Sequence, residues 1–170
     1  MVKSRRQFMT WTASMATLWL SGCAATANKI AVPYAIHFHG SENQNLSAQG
    51  EASPIQVQVY QLKAKDRFEA ADYFGLQQQA DELLGDQLLA YDSLMVQPEQ
   101  TQQLESAGHV EARYVGIVAG YRELNQSQWR LVVPLPAAKS TNIYKFWQFS
   151  PSRSRLHVAV EKDRLQLVSV

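Results

Sequence analysis

The sequence lacks several features that would point to common functions. It has one cysteine, Cys23, among 170 residues, so the chain can form no internal disulfide bond. Its N-terminal apolar stretch, residues 8–20, is diluted by threonine and serine and is shorter than the roughly 20 apolar residues that a membrane-spanning helix needs. The 16 basic residues nearly balance 15 acidic ones and form no basic stripe. This balance argues against nucleic acid as a partner.

Acidic residues are absent before Glu42, and this asymmetry sets the N-terminus apart. Three basic residues come first there: Lys3, Arg5 and Arg6. The apolar stretch follows, and then the small residues Ser21 and Gly22 precede Cys23. A secretory signal has the same order of charged, apolar and small residues. We therefore predict that residues 1–22 are a signal peptide. The adjacent arginines slightly favour export by the twin-arginine route, and export by the general secretory route is the alternative.

The end of this segment resembles the lipobox of bacterial lipoproteins, in which small residues precede a cysteine. The resemblance implies that diacylglycerol alkylates the Cys23 thiol, that the chain is cut before Cys23, and that a fatty acid such as palmitate acylates the new amine. An aspartate after the cysteine commonly marks retention in the inner membrane. Ala24 occupies that position, so we expect an outer-membrane lipoprotein that faces the periplasm.

Removal of residues 1–22 would leave 148 residues, the size of one domain. The three basic residues lost are not balanced by acidic ones, so 13 basic residues would face 15 acidic ones. Residues 23–33 are mostly small and show no pattern, which predicts a lipidated flexible tether. Its nine residues 24–32 span roughly 30 Å at about 3.3 Å per residue. Residues 34–170 then form the folded domain.

The domain contains short segments that alternate apolar and polar residues or are rich in β-forming residues, which is typical of strands. Tyr34, Ile36 and Phe38 share one strand face. The other predicted strands are residues 55–59, the pair 113–121 and 129–133, and a terminal hairpin of 156–160 and 165–168. Short strands separated by turns predict an all-β, antiparallel sandwich.

Residues 66–85 interrupt this pattern. Asp66 and Glu69 have the spacing of a helix capping box. Apolar residues then recur at near-helical spacing, and Gly85 suits a helix C-terminus. The pattern predicts a short helical insertion packed on the sandwich. The stretch between Pro98 and Gly108 is compatible with a strand or with irregular structure.

Several segments, taken in order, resemble TssJ, the outer-membrane lipoprotein of the bacterial type VI secretion system. They are residues 53–62 (SPIQVQVYQL), Phe68, 71–74 (ADYF), 84–89 (LGDQLL), 113–122 (RYVGIVAGYR) and 129–130 (WR). The resemblance covers residues 34–136 and the lipobox, and the last strands more loosely, whereas residues 145–155 match no pattern. It implies a two-sheet, transthyretin-like sandwich with no catalysis and no cofactor. It also implies binding to the periplasmic C-terminal region of the inner-membrane protein TssM, which works with TssL.

In characterised TssJ proteins, the loop between the first two strands carries much of the TssM contact. The corresponding loop here is residues 40–53 (GSENQNLSAQGEAS), in which Leu46 is the one large apolar residue. The correspondence is one of position and not of individual residues. Within it, the candidate partner-binding residues are Ser41, Glu42, Asn43, Gln44, Asn45 and Leu46, with Leu46 as the candidate anchor. We expect this loop to take no part in the core. Without the resemblance, the same stretch would be an ordinary solvated loop.

Residues that could carry other chemistry are scattered. His37 and His39 share a strand face and could bind Zn²⁺, but a third ligand at a matching spacing is missing, and His109 and His157 stand alone. We therefore expect no metal site. The sequence has no Gly-x-Ser-x-Gly motif and no phosphate-binding glycine loop. We expect no enzyme and no small-molecule substrate.

Two alternatives stay open. The first is a periplasm-facing solute- or glycan-binding lipoprotein that uses an aromatic cluster, Tyr144, Phe146, Trp147 and Phe149. The second is a hydrolase whose site is assembled from scattered carboxylates or histidines.

Overall fold

The computed structural model describes residues 28–141 and 153–169, and it confirms the predicted two-sheet β-sandwich. The first sheet has the order β10-β9-β2-β5, formed by β2 (Tyr34–Gly40), β5 (Thr101–Ser106), β9 (Ser154–Val160) and β10 (Leu165–Ser169). The second has the order β4-β3-β6-β7, formed by β3 (Ile55–Leu62), β4 (Leu88–Val96), β6 (Tyr114–Ala119) and β7 (Arg130–Pro134). A small third sheet pairs β1 (Asn28–Ile30) with β8 (Lys139–Thr141).

The core lies between the two four-stranded sheets. Tyr34, Ile36 and Phe38 of β2 share one face, as predicted, and this face is buried in the core. The inward residues of β3 face them: Ile55, Val57 and Val59. Burial of each large apolar side chain contributes about 1.5–3 kcal/mol, so these two alternating strands supply much of the stability.

One strand pair departs from the antiparallel expectation. Strand β2 pairs antiparallel with β5 but parallel with β9, with Ile36 opposite Leu156. Parallel neighbours need a long crossover connection. The connection from β2 to β9 is long because strands β3 to β8 lie between them in the sequence. The chain passes through the second sheet at β6 and β7 before it returns to the first sheet at β9.

Two helices cover the outer face of the second sheet. They are α1 (Asp66–Ala70) and α2 (Tyr73–Leu84), within the predicted insertion. Tyr60 and Leu62 of β3 point to this face and are fully buried under it, with Phe68 at the centre of the contact. A Cβ atom at Gly116 would lie 2.5 Å from the Phe68 ring, so the glycine lets the ring approach the sheet. Strand β3 is therefore buried on both faces in its C-terminal half.

The predicted capping box at Asp66 is wrong. Lys65 precedes α1 and makes no side-chain capping bond. The cap occurs at Asp72 instead, whose Oδ1 accepts a hydrogen bond from the Gly75 amide at 2.9 Å, before α2. Gly85 ends α2 with a φ of 51°, as predicted.

The sequence does not predict four of the described strands, which are β1, β4, β5 and β8. Strand β5 lies between Pro98 and Gly108, where the pattern is compatible with a strand or with irregular structure, and three residues separate the end of α2 from the start of β4. Strand β4 is an edge strand whose middle residues are exposed on both faces, so its sequence shows no alternation. No helix in the described part of the chain is long and apolar enough to cross a membrane.

The N-terminal segment differs from the expected tether at residues 28–30. We expected residues 23–33 to be free of structure, but Asn28–Ile30 form β1, with Lys29 opposite Ser140 of β8. A three-residue strand is too short to show an alternating pattern. The stretch between Cys23 and β1 is therefore only residues 24–27.

The contact between the helices and the sheet can be tested through Phe68. Phe68→Ala should lower the free energy of unfolding by about 3–5 kcal/mol, because it empties a fully buried ring position. Phe74→Ala is the matched control, since Phe74 is 62% exposed and should change stability by less than about 0.5 kcal/mol. Urea unfolding measures both. Equal losses would mean that the helices do not pack on this sheet as described.

Candidate partner-binding surface

The loop implied to bind a partner lies at one end of the sandwich, between β2 and β3. Glu42 and Asn43 at its tip are exposed. The Ser41 hydroxyl donates a hydrogen bond to the Asn43 Oδ1 at 3.0 Å, and the Ser41 amide donates to the Val160 carbonyl of β9 at 3.0 Å. The start of the loop is therefore tied to the first sheet.

Gln44 and Asn45 are buried, with 0% and 5% of their surface exposed. The Gln44 Nε2 donates to the Val96 and Ser53 carbonyls at 2.9 and 3.1 Å. The expectation that this loop takes no part in the core is therefore wrong for these two residues. At the end of the sandwich, some backbone groups have no partner on a neighbouring strand, and polar side chains form hydrogen bonds with them instead. A polar residue in the sequence does not show whether its side chain is buried in this way or exposed to solvent.

Asn45 also ties the loop to the second sheet. Its Nδ2 donates to the Pro54 carbonyl at 3.2 Å, and its Oδ1 accepts from the Arg122 amide at 3.0 Å. Its φ of 44° is in the left-handed region, which asparagine tolerates better than most residues. The side chain thus joins residues 77 positions apart in the sequence.

Three loops meet around a groove at this end, and we call them the loop cluster: residues 41–53, 121–128 and 161–164. The groove has a volume of about 180 Å³. It is lined by Asn45, Leu46, Tyr121, Arg122, Glu123, Gln126, Ser127, Lys162 and Asp163. Leu46 is partly buried there. The groove combines one aliphatic side chain with charges of both signs.

Hydrogen bonds between the other two loops hold the groove in shape. The Gln128 amide donates to the Asp163 carbonyl at 2.8 Å, and the Leu165 amide donates to the Gln128 carbonyl at 3.1 Å. The buried Tyr121 hydroxyl donates to the Arg164 carbonyl. Burial, and then the charges of Asp163 and Glu161, raise the pKa of this hydroxyl well above its usual value. Tyr121 therefore remains a hydrogen-bond donor at any physiological pH.

The loop cluster and the point where the chain enters β2 lie at opposite ends of that strand. The chain enters β2 at Tyr34 and leaves it at Gly40, directly before the loop. Seven strand residues at about 3.3 Å each separate these ends by about 20 Å. Cys23 itself lies outside the described residues, as do the four members of the aromatic cluster.

The structure brings three histidines together, which corrects the view that His157 stands alone. His37 and His39 share the outer face of the first sheet, as predicted, and β9 places His157 beside them. The imidazole rings of His37 and His157 lie parallel with centroids 4.8 Å apart. The sequence could not show this because the register of β2 and β9 joins residues 120 positions apart. Even so, no three His, Cys, Asp or Glu side chains among the described residues are arranged to hold a metal ion.

A small two-sheet sandwich with helices on one face, preceded by a signal-like segment and a cysteine, is the architecture of a β-sandwich lipoprotein. The family model described as "Type VI secretion lipoprotein, VasD, EvfM, TssJ" matches residues 33–163. The chain belongs to this family, and the resemblance to TssJ is confirmed.

Solved structures are similar across the whole sandwich. The type VI lipoprotein TssJ1 from Pseudomonas aeruginosa is 28% identical, with a TM-score of 0.71, over 82% of this chain and 97% of that one. Serratia marcescens Lip, a membrane-bound component of the type VI secretion system, is 35% identical, with a TM-score of 0.72, over 81% and 97%.

A chain in the structure described as the TssM C-terminal domain (869–1107) from EAEC shares the fold at 21% identity. Its TM-score is 0.61, over 84% of this chain and 100% of that one. No curated protein sequence matches significantly.

The anchoring of the loop can be tested through Gln44. Gln44→Ala should lower the free energy of unfolding by about 1–3 kcal/mol, because it leaves buried carbonyl groups without their donor. Gln49→Ala in the same loop is the control, since Gln49 is exposed and should change stability little. Thermal and urea unfolding measure both variants. If Gln44→Ala proves as stable as Gln49→Ala, the loop is not anchored by this side chain.

Proposed function

We propose that this protein is a structural adaptor of the type VI secretion membrane complex, anchored to the outer membrane and facing the periplasm. Acyl chains on Cys23 hold one end of the domain. The loop cluster at the other end binds the periplasmic C-terminal region of TssM and so links the protein indirectly to TssL. The function is attachment rather than chemistry.

The observation that carries this proposal is the position of the two ends of β2. The five steps from Cys23 to Asn28 span about 16 Å at about 3.3 Å each, so an acylated Cys23 keeps β1 near the membrane. Residues 31–33 connect β1 to the start of β2. The loop cluster follows the other end of the strand. This arrangement favours a loop cluster that points away from the membrane, toward a partner that crosses the periplasm.

The composition of the loop cluster suits a protein partner. Interfaces concentrate binding energy in a few well-packed side chains surrounded by polar groups. Leu46 lies partly buried in the groove with charged residues around it. Ser41, Glu42 and Asn43 precede it at the start of the loop, where Glu42 and Asn43 are exposed. Gln44 and Asn45 are buried, so we assign them the role of fixing the loop, which lowers the cost of ordering it on binding.

The comparisons support the proposal at two points. Serratia Lip, which shares the sandwich, is a membrane-bound component of the secretion system. A chain of the same fold occurs in a structure described as the TssM C-terminal domain. Together with the sequence resemblance, these findings favour TssM over a sugar or another solute as the ligand.

The anchor is tested at Cys23. Cys23→Ser should move the protein from the membrane fraction to the soluble periplasmic fraction, because lipidation at this position requires the thiol and acyl chains provide stable membrane binding. Ala24→Asp is the matched control, since it keeps the thiol. It should leave the protein in the membrane fraction but shift it toward the inner membrane. Density-gradient fractionation and immunoblotting give both results. Continued outer-membrane location of the Cys23→Ser protein would refute the anchoring role.

The partner site is tested at Leu46. Leu46→Ser should weaken binding to the periplasmic C-terminal region of TssM at least about tenfold, or about 1.4 kcal/mol, because it removes the apolar centre of the groove. Leu83→Ser on α2 is the matched control and should bind like the unsubstituted protein. Calorimetry with the lipidated protein in detergent micelles measures the affinities. If Leu83→Ser weakens binding and Leu46→Ser does not, the partner contacts the helices instead.

A further inference from the structure

Three of the four histidines meet on the outer face of the first sheet, and the proposed function uses none of them. His37 and His39 project from β2, and His157 projects from β9 directly opposite His37. All three are partly buried. The helices cover the other sheet, so this face is separate from the helical side of the domain.

The closest contact in this group joins two ring nitrogens. The Nε2 of His39 lies 3.1 Å from the Nδ1 of His157. The ring planes differ by only 7° and their centroids are 5.4 Å apart, so the rings meet edge to edge. Ala159 is the residue directly opposite His39. Its small side chain leaves room for the two rings to meet along the diagonal.

The ring of His39 is oriented by a side chain of β5. Its Nδ1 lies 2.9 Å from the Thr101 Oγ1, which fixes the ring and leaves Nε2 to face His157. Imidazole nitrogen is a common protein ligand for transition metals, and a hydrogen bond at the other ring nitrogen commonly sets the orientation of such a ligand.

We propose that His39 and His157 form a binding site for one divalent transition-metal ion, of which Zn²⁺, Ni²⁺ and Cu²⁺ are the best suited to imidazole ligands. Two nitrogens that each bind a tetrahedral Zn²⁺ at about 2.0–2.1 Å are about 3.3 Å apart. The observed 3.1 Å is close to this separation, so binding requires a small opening of the pair and a turn of each ring that aims its nitrogen at the ion. One of the two facing nitrogens carries the proton of their hydrogen bond. On metal binding this proton moves to the other nitrogen of its own ring, so each ring binds as a neutral imidazole and no proton is lost.

The remaining coordination positions belong to water. No third histidine, cysteine or carboxylate among the described residues is arranged to complete the site. The ring of His37 lies parallel to that of His157 and holds it in plane, so His37 is a positioning residue. Arg153 and Arg155 line a shallow groove beside His37 and His157, and Arg153 is paired with Glu105 at 2.8 Å.

The experiment is a titration of the protein, made without a histidine tag and held in detergent micelles, with ZnCl₂ by calorimetry and with CuCl₂ by electron paramagnetic resonance. We expect saturable binding of one ion per chain and nitrogen hyperfine structure from two imidazoles. His39→Gln and His157→Gln should each abolish saturable binding. His109→Gln is the matched control and should bind as before, because His109 lies outside this group.

Thr101→Val supplies a test that leaves both ligands in place. Loss of a residue that orients a metal-binding histidine costs about tenfold or more in affinity, so this variant should bind measurably more weakly. Unfolding temperatures identify any variant that has failed to fold. The proposal is overturned if the unsubstituted protein shows no saturable binding, if His39→Gln binds as well as His109→Gln, or if the copper spectrum shows a single nitrogen. The result does not depend on TssM, so it leaves the adaptor proposal untouched.

Discussion

Strand β2 is hydrogen-bonded along both edges, to β5 and β9, and its three inward side chains fill the centre of the core. Because it cannot bend or slip without emptying that core, it behaves as a rigid spacer of about 20 Å. The N-terminus enters at one end of this spacer and the loop cluster begins at the other. The proposed adaptor function needs two binding ends at a fixed separation, which is what a rigid β2 supplies.

The two sheets use their outer faces differently. Helices α1 and α2 pack on part of the outer face of the second sheet, with Phe68 against Gly116, so that Tyr60 is buried under them. Within residues 28–141 and 153–169, no helix covers the outer face of the first sheet, where three histidines lie. At the loop end, the amide groups of Gln44 and Asn45 bridge the sheets. A polar loop can thus be held firmly enough to present Leu46 in one position.

The sequence predicted those features that depend on neighbouring residues. Alternation in β2 placed Tyr34, Ile36 and Phe38 on one strand face, and spacing identified the helical insertion. It did not predict features that depend on distant pairing. The contact of His39 with His157 and the bond from Arg122 to Asn45 depend on strand register and loop packing across the fold. Sequence motifs also failed where two nearby residues could each cap a helix. Asp66 has the spacing of a capping box, but Asp72 is the residue that caps a helix in the structure.

The central claim is that the partner contacts the end of the sandwich opposite the lipid. Hydrogen exchange measured by mass spectrometry, with and without the periplasmic C-terminal region of TssM, tests this claim directly because it reports on every segment at once. The account predicts new protection in residues 41–53, 121–128 and 161–164, and none in α2. Protection confined to α1 and α2, or to β1 and β8, would contradict it.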